Sequence, residues 1–193
     1  MSLDSRNEAV RMALEIPGWM ESDELAWLHE MAGRLPFGGR WVEVGTWKGR
    51  SFLATALGLP RMAKIAGVDT FLGSPESTRH DEARAPGNPV RVAFGATMDR
   101  IRELRPDLTV ICVEGDSAKV AKEFFVWATP NAVFVDGSHA EEAVLADIAA
   151  WGHMVRPGGL LAGHDADMIG VQRALDAQSW ESTACPGRIW RRA

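Results

Sequence analysis

At 193 residues, 46 % hydrophobic and 24 % charged, the chain has the length and composition of one globular domain with a sizeable core. A formal net charge of −5 argues against nucleic acid as a partner, because phosphate binding draws on clustered Lys and Arg. No apolar run approaches a membrane span, and Met1-Ser2-Leu3-Asp4-Ser5-Arg6 lacks a signal peptide's apolar stretch, so a cytoplasmic protein is expected.

Apolar strand-like runs alternate with helical patterns, which predicts an α/β protein with a mostly parallel sheet. Residues 1–35 read as an N-terminal helical layer: Leu25, Leu28, Met31 and Leu35 fall at helical spacing, with Ser22 as N-cap. Pro36-Phe37-Gly38-Gly39 ends it. Five strands are predicted, at Trp41–Val44, Lys64–Val68, Leu108–Val113, Ala132–Val135 and Gly159–Ala162. Helices are predicted between them at Ser51–Leu57, Val90–Glu103, Ala118–Trp127 and Glu141–Val155, and after the fifth strand at Ile169–Gln178. Trp180–Ala184 and Arg188–Arg192, split by Pro186-Gly187, read as a hairpin with the arginines on a wet face. Residues 71–88 show no period and are long for a connection, so they read as either a substrate lid or a disordered segment. Cys112, in an apolar run, reads as a small core residue, and it makes no metal motif or disulfide framework with the distant Cys185.

The stretch from Trp41 to Ser51, WVEVGTWKGRS, reads as a buried strand, a glycine turn and the start of a helix. Gly45 and Gly49 allow backbone N–H groups to approach a ligand, and the helix N-terminus favours negative charge. Glu43, just before the turn, can face a cationic group. An anion cradle beside a carboxylate suits a zwitterion such as the methionine end of S-adenosyl-L-methionine (SAM). The same turn can equally be only a tight connection.

Ligands of open α/β sheets bind beyond the C-terminal ends of the parallel strands. Each predicted strand delivers a carboxylate there: Glu43, Asp69, the Glu114-Gly115-Asp116-Ser117 run, Asp136 and Asp165. Asp69, at the end of the second strand, can accept hydrogen bonds from two ribose hydroxyls or cap a turn. Asp116 with Ser117 can read an adenine amino group or cap the following helix, capping being the stronger reading for Ser117. Asp136, His164 and Asp165 can converge as ligands of a divalent cation, with His139 close enough to take a proton from a substrate hydroxyl.

These residues resemble the class I SAM-dependent methyltransferases, and most closely their small-molecule O-methyltransferase branch, which includes macrolide-sugar methyltransferases and cephalosporin-hydroxylase-like proteins. The resemblance covers roughly Ile16 to Leu175. It rests on the EVGTWKGRS run from Glu43 to Ser51, the VDTFLGSPE run from Val68 to Glu76, the FVDGSH run from Phe134 to His139 and the GGLLAGHD run from Gly158 to Asp165. It implies a Rossmann-like sheet of order 3-2-1-4-5-7-6 with strand 7 antiparallel and an extra N-terminal helix. It also implies a SAM site. Glu43, Gly45, Thr46, Trp47, Gly49 and Ser51 would lie around the methionine moiety, Asp69 and Thr70 at the ribose, and Gly115, Asp116 and Ser117 at the adenine, with Asp136 alongside.

In metal-dependent relatives the positions matching Asp136, His164 and Asp165 bind Mg²⁺, and the position matching His139 is the catalytic base. The relatives carry an acid where this chain has His164. Imidazole suits Mn²⁺, Fe²⁺ or Zn²⁺ better than Mg²⁺, so either the metal differs or His164 serves as a base or substrate contact. The partner implied is a small-molecule acceptor, with homo-oligomerisation open. Other classes are a non-catalytic SAM or nucleoside binder, and a metal-dependent hydroxylase or hydrolase using the Asp/His cluster. A dinucleotide oxidoreductase fits less well, because Gly45-x-x-x-Gly49 lacks the spacing that admits a pyrophosphate.

Overall fold

The computed structural model describes residues 3–74, 78–123, 129–179 and 181–193. Seven strands form one sheet: β1 (Arg40–Val44), β2 (Lys64–Asp69), β3 (Thr109–Glu114), β4 (Ala132–Val135), β5 (Leu160–Gly163), β6 (Ser182–Ala184) and β7 (Trp190–Arg192). Their order is β3-β2-β1-β4-β5-β7-β6. The first five run parallel, and β7 runs antiparallel to both β5 and β6. This is the class I methyltransferase topology that the sequence motifs implied.

Parallel strands need covered faces, and helices supply the cover on both sides. Alternation along β1 sends Trp41 to one core, with Phe52, Ile65 and Phe94. It sends Val42 and Val44 to the other, with Val133, Ile148 and Trp151. The helices are α1 (Leu3–Leu14), α2 (Ser22–Gly33), α3 (Arg50–Gly58), α4 (Pro89–Leu104), α5 (Ser117–Glu123), α6 (Glu141–Gly152) and α7 (Ile169–Asp176). At Gly58 an added Cβ would lie 2.3 Å from the His29 carbonyl, so α2 packs directly on α3.

Several expectations need correcting. The N-terminal layer is two helices, interrupted around Pro17-Gly18. The N-cap of α2 is Glu21 rather than Ser22, and its N–H donates to Glu24 Oε2 at 2.7 Å. Cys112 is exposed, because β3 is an edge strand with only one neighbour. In the 71–88 segment, residues 78–84 form a 3-10 helix, while 75–77 lie outside the described residues. The ends of two predicted elements, residues 124–127 and Trp180, also lie outside them. No described helix is long and apolar enough to cross a membrane.

Candidate functional site

The turn after β1 is shaped by its neighbours. Gly45 has φ +80°, and a Cβ there would sit 2.0 Å from the Asp136 carbonyl oxygen. Gly49, the N-cap of α3, has φ +94°, and a Cβ would meet Thr97 Cγ2 at 2.7 Å. Both positions therefore require glycine for backbone and packing reasons alone. Trp47 also adopts a positive φ, 49°. Asp69 organises this bend: its Oδ2 accepts the N–H groups of Thr46 (2.7 Å) and Trp47 (2.8 Å), and its Oδ1 accepts that of Phe71 (2.8 Å). The Gly115 N–H donates to the Asp69 carbonyl at 2.9 Å, and Thr70 is exposed beside it.

Behind the turn, Ser51 donates to Glu43 Oε1 at 2.7 Å, and both side chains are buried. Glu43 Oε2 is buried with no hydrogen-bond partner. Complete burial raises the Glu43 pKa well above the carboxylate range. Ser51 opposes this, and the charges of Asp136 and Asp69 add to it. At the third strand end, Asp116 Oδ1 accepts the Lys119 N–H at 3.0 Å, which caps α5. Ser117 instead donates to Asp147 Oδ1 on α6, so the cap expected more strongly of Ser117 is made by Asp116. Burial pushes Asp147 up to about 6, Ser117 pulling the other way and Asp116 adding repulsion.

Beyond β4 and β5 the side chains converge. Asp165 adopts φ 57°, a strained conformation for a non-glycine residue. His164 Nδ1 lies 3.5 Å from Asp136 Oδ1 and 3.2 Å from Asp165 Oδ1. His139 Nε2 lies 2.8 Å from Asp165 Oδ2. Two residues that the sequence did not place in the site complete the group. Glu24 Oε1 lies 2.9 Å from His164 Nε2, and Arg188 Nη1 is 3.2 Å from Asp165 Oδ1. Nothing local distinguishes Glu24 from an ordinary first-turn acid, and Arg188 looked like a solvated strand residue. The one signal available was Glu24 three places after Glu21, at capping-box spacing.

Burial alone would lower the His164 pKa. The carboxylates of Asp136, Asp165 and Glu24 outweigh that and push it up to about 12. Asp165 stays below the carboxylate range despite burial, because His139 and His164 both bond to it.

Asp136, His164 and Asp165 form a metal-capable cluster among the described residues, each offering a ligand atom within 4.8 Å of the others. Bonds of about 2.0–2.3 Å hold two ligand atoms of one ion at most about 4.6 Å apart, so the three side chains would draw closer together on taking up a cation. A cavity of about 10 Å³, enough for one water-sized occupant, is lined by Asp136, His139, His164, Asp165 and Trp190. The nitrogen donor favours Mn²⁺, Fe²⁺ or Zn²⁺ over Mg²⁺.

Three rings stand over the turn. Trp19 and Trp47 have centroids 5.3 Å apart, and His80 sits 5.2 Å from the first and 4.7 Å from the second. Arg50 holds the Trp19 loop by bonds to the carbonyls of Ile16 (2.7 Å) and Met20 (2.9 Å). Lys48 pairs with Glu82 at 2.7 Å, which ties the 3-10 helix to the turn.

The family described as a methyltransferase domain (Methyltransf_24) matches residues 42–166. Among solved structures, cofactor-bound Rv0187 from MTB superposes with a TM-score of 0.66 at 15 % identity, covering 98 % of this chain and 88 % of that one. The O-methyltransferase TomG from Streptomyces achromogenes, solved with SAM, gives 0.65 at 13 % identity, over 99 % and 89 %. The methyltransferase MycE of the mycinamycin pathway, solved with Mg, S-adenosylhomocysteine and mycinamycin VI, gives 0.60 at 16 % identity. It covers 97 % of this chain and 54 % of its own.

Proposed function

The chain belongs to the methyltransferase-domain family and is a SAM-dependent methyltransferase, and from that premise we propose that it methylates a hydroxyl of a small molecule with help from a divalent cation. The observation that carries this reading is the convergence of Asp136, His164, Asp165 and His139 around one small cavity beside the glycine turn. The O-methyltransferases among the structural neighbours favour oxygen as the acceptor atom, and Mg in the MycE complex favours a metal.

The methionine end of SAM would lie against the turn that carries Glu43, Gly45, Thr46, Trp47, Gly49 and Ser51. The unpartnered, buried Glu43 Oε2 is the polar atom there that a ligand ammonium or a water would satisfy. Asp69 and Thr70 would meet the ribose, and Gly115, Asp116 and Ser117 the adenine. For Asp69 this means sharing its oxygens with the turn's N–H groups.

SAM brings the methyl group on a sulfonium. When bound, it would supply that methyl to the acceptor oxygen, sulfur keeping the electron pair of the broken S–CH₃ bond, and His139 would take the hydroxyl proton. Asp165 orients the His139 ring for that task. A cation held by Asp136, His164 and Asp165 would lower the hydroxyl's pKa and align two vicinal oxygens. Trp19, Trp47 and His80, with the 3-10 helix of residues 78–84, would wall the acceptor from water.

His139→Ala should cut turnover by about 10²–10⁴-fold and leave SAM affinity by calorimetry unchanged. Equal loss of both would assign His139 to cofactor binding. Chelation by EDTA should abolish methyl transfer and Mn²⁺ restore it. A second reading, favoured by the three carboxylates that ring the imidazole at 2.9, 3.2 and 3.5 Å, has the His164 imidazolium serve as the site's fixed cation. Turnover unaffected by EDTA would select it.

A further inference from the structure

Glu24 is 1 % exposed, although it stands in the first turn of a helix, where an acid gains its dipole interaction without being buried. Burying a carboxylate is costly unless donors surround it. Three do: the Glu21 N–H at 2.7 Å, the Arg188 N–H at 2.8 Å and His164 Nε2 at 2.9 Å. The tail hairpin is built around this carboxylate. Gly187 has φ +60°, and a Cβ there would lie 2.4 Å from Glu24 Oε1. Only glycine lets the turn close over it, and closure is what brings the Arg188 N–H to the same oxygen.

An ionised carboxylate only accepts hydrogen bonds. The ring nitrogen facing Glu24 therefore carries a hydrogen; the opposite nitrogen, Nδ1, is turned to Asp136 and Asp165, which by the same rule accept its hydrogen until a cation displaces it. The Trp190 Nε1–H bond to the His164 carbonyl, at 3.1 Å, fixes the backbone from which the ring projects. We propose that Glu24 is the positioning residue of the metal centre: it holds the Nε2–H of His164 and so presents Nδ1 as a ligand alongside Asp136 and Asp165. The proposal rests on the metal reading above. It makes the N-terminal helix α2 and the β6–β7 hairpin joint supports of a site whose ligands all follow β4 and β5. Partners of this kind orient a ligating imidazole and raise its basicity.

The test is Mn²⁺ calorimetry on the full chain, without acceptor, for the wild type and Glu24→Gln. The variant should bind Mn²⁺ roughly 10–100-fold more weakly with SAM affinity unchanged. A wild type and variant of equal Mn²⁺ affinity would overturn the proposal and leave the metal reading standing. A wild type that binds neither Mn²⁺ nor Zn²⁺ would overturn both. Nitrogen-15 NMR of histidine-labelled wild type loaded with Zn²⁺ gives the answer without any variant, should Glu24→Gln fail to fold. A proton on His164 Nε2 with zinc on Nδ1 is expected, and the reverse arrangement would refute the role given to Glu24.

Discussion

The glycine turn after β1 and the rim beyond β4 and β5 look alike in sequence, since each joins a strand end to conspicuous polar residues. They are built differently. In the turn, Asp69 accepts the Thr46, Trp47 and Phe71 N–H groups, and the two glycines fit against Asp136 and Thr97. Packing and backbone satisfaction account for most of it. In the rim, charged side chains from α2, both strand ends and the β6–β7 hairpin meet in a space that hydrophobic packing would fill more cheaply. A local motif is thus explained largely by the fold it belongs to. A convergence of buried charges drawn from distant segments calls for a function.

The two regions touch at Gly45, which makes that residue the most severe place to break the comparison. Gly45→Ala combines a disfavoured φ of +80° with a Cβ 2.0 Å from a backbone oxygen, and the Asp136 N–H is itself bonded to the Val44 carbonyl at 2.7 Å. Neither backbone can retreat without opening the β1–β4 pairing. We expect a loss of about 4 kcal/mol or more in denaturant titration, or no soluble protein. A variant within 1 kcal/mol of the wild type would mean that the turn is plastic and that its glycine serves the ligand alone.

Asp69→Ala separates the turn's two roles. Three backbone donors lose their acceptor, so stability should fall by about 2–3 kcal/mol, and SAM affinity should fall with it. A pure ribose contact would weaken SAM binding and leave the melting temperature in place. Unchanged SAM affinity would remove Asp69 from the cofactor site.

How far these regions were legible follows from the range of the interactions that make them. β1, β2, β4 and β5 show as short apolar runs ending in Gly or Asp, and β4 falls on the predicted residues Ala132–Val135. The metal-capable trio was legible because each member directly follows a strand end, where parallel pairing brings the ends together. Glu24 was not, because its partner His164 is 140 residues away and no local pattern marks the pair. The same holds for Cys112: its run is as apolar as a central strand's, and only the strand order reveals an edge. Ser22 lost the N-cap to Glu21 because Glu21 holds the extended backbone of a cap and its N–H bonds to the Glu24 carboxylate three residues on.

The smallest expected effect lies on the flank of the rim, at Asp147. This acid is 6 % exposed, and its pKa is pushed from the ordinary Asp value up to about 6, mainly by burial, with Ser117 opposing and Asp116 adding. A raised carboxylate pKa means that the folded protein holds the proton more tightly than the unfolded chain does. Between about pH 4 and pH 6 the native state therefore binds more protons, and stability falls as pH rises through that window. Above it the loss is complete. Asp147→Asn has no proton to lose and keeps an oxygen for Ser117. Its stability should be flatter from pH 4 to 6 and exceed the wild type's at pH 7–8 by about 1–3 kcal/mol. Matching pH slopes in the two proteins would show that the wild-type carboxylate ionises without penalty. The buried charge that most of the rim tolerates only through partners would then be tolerated at Asp147 as well, and the contrast between the rim and the self-satisfied turn would weaken.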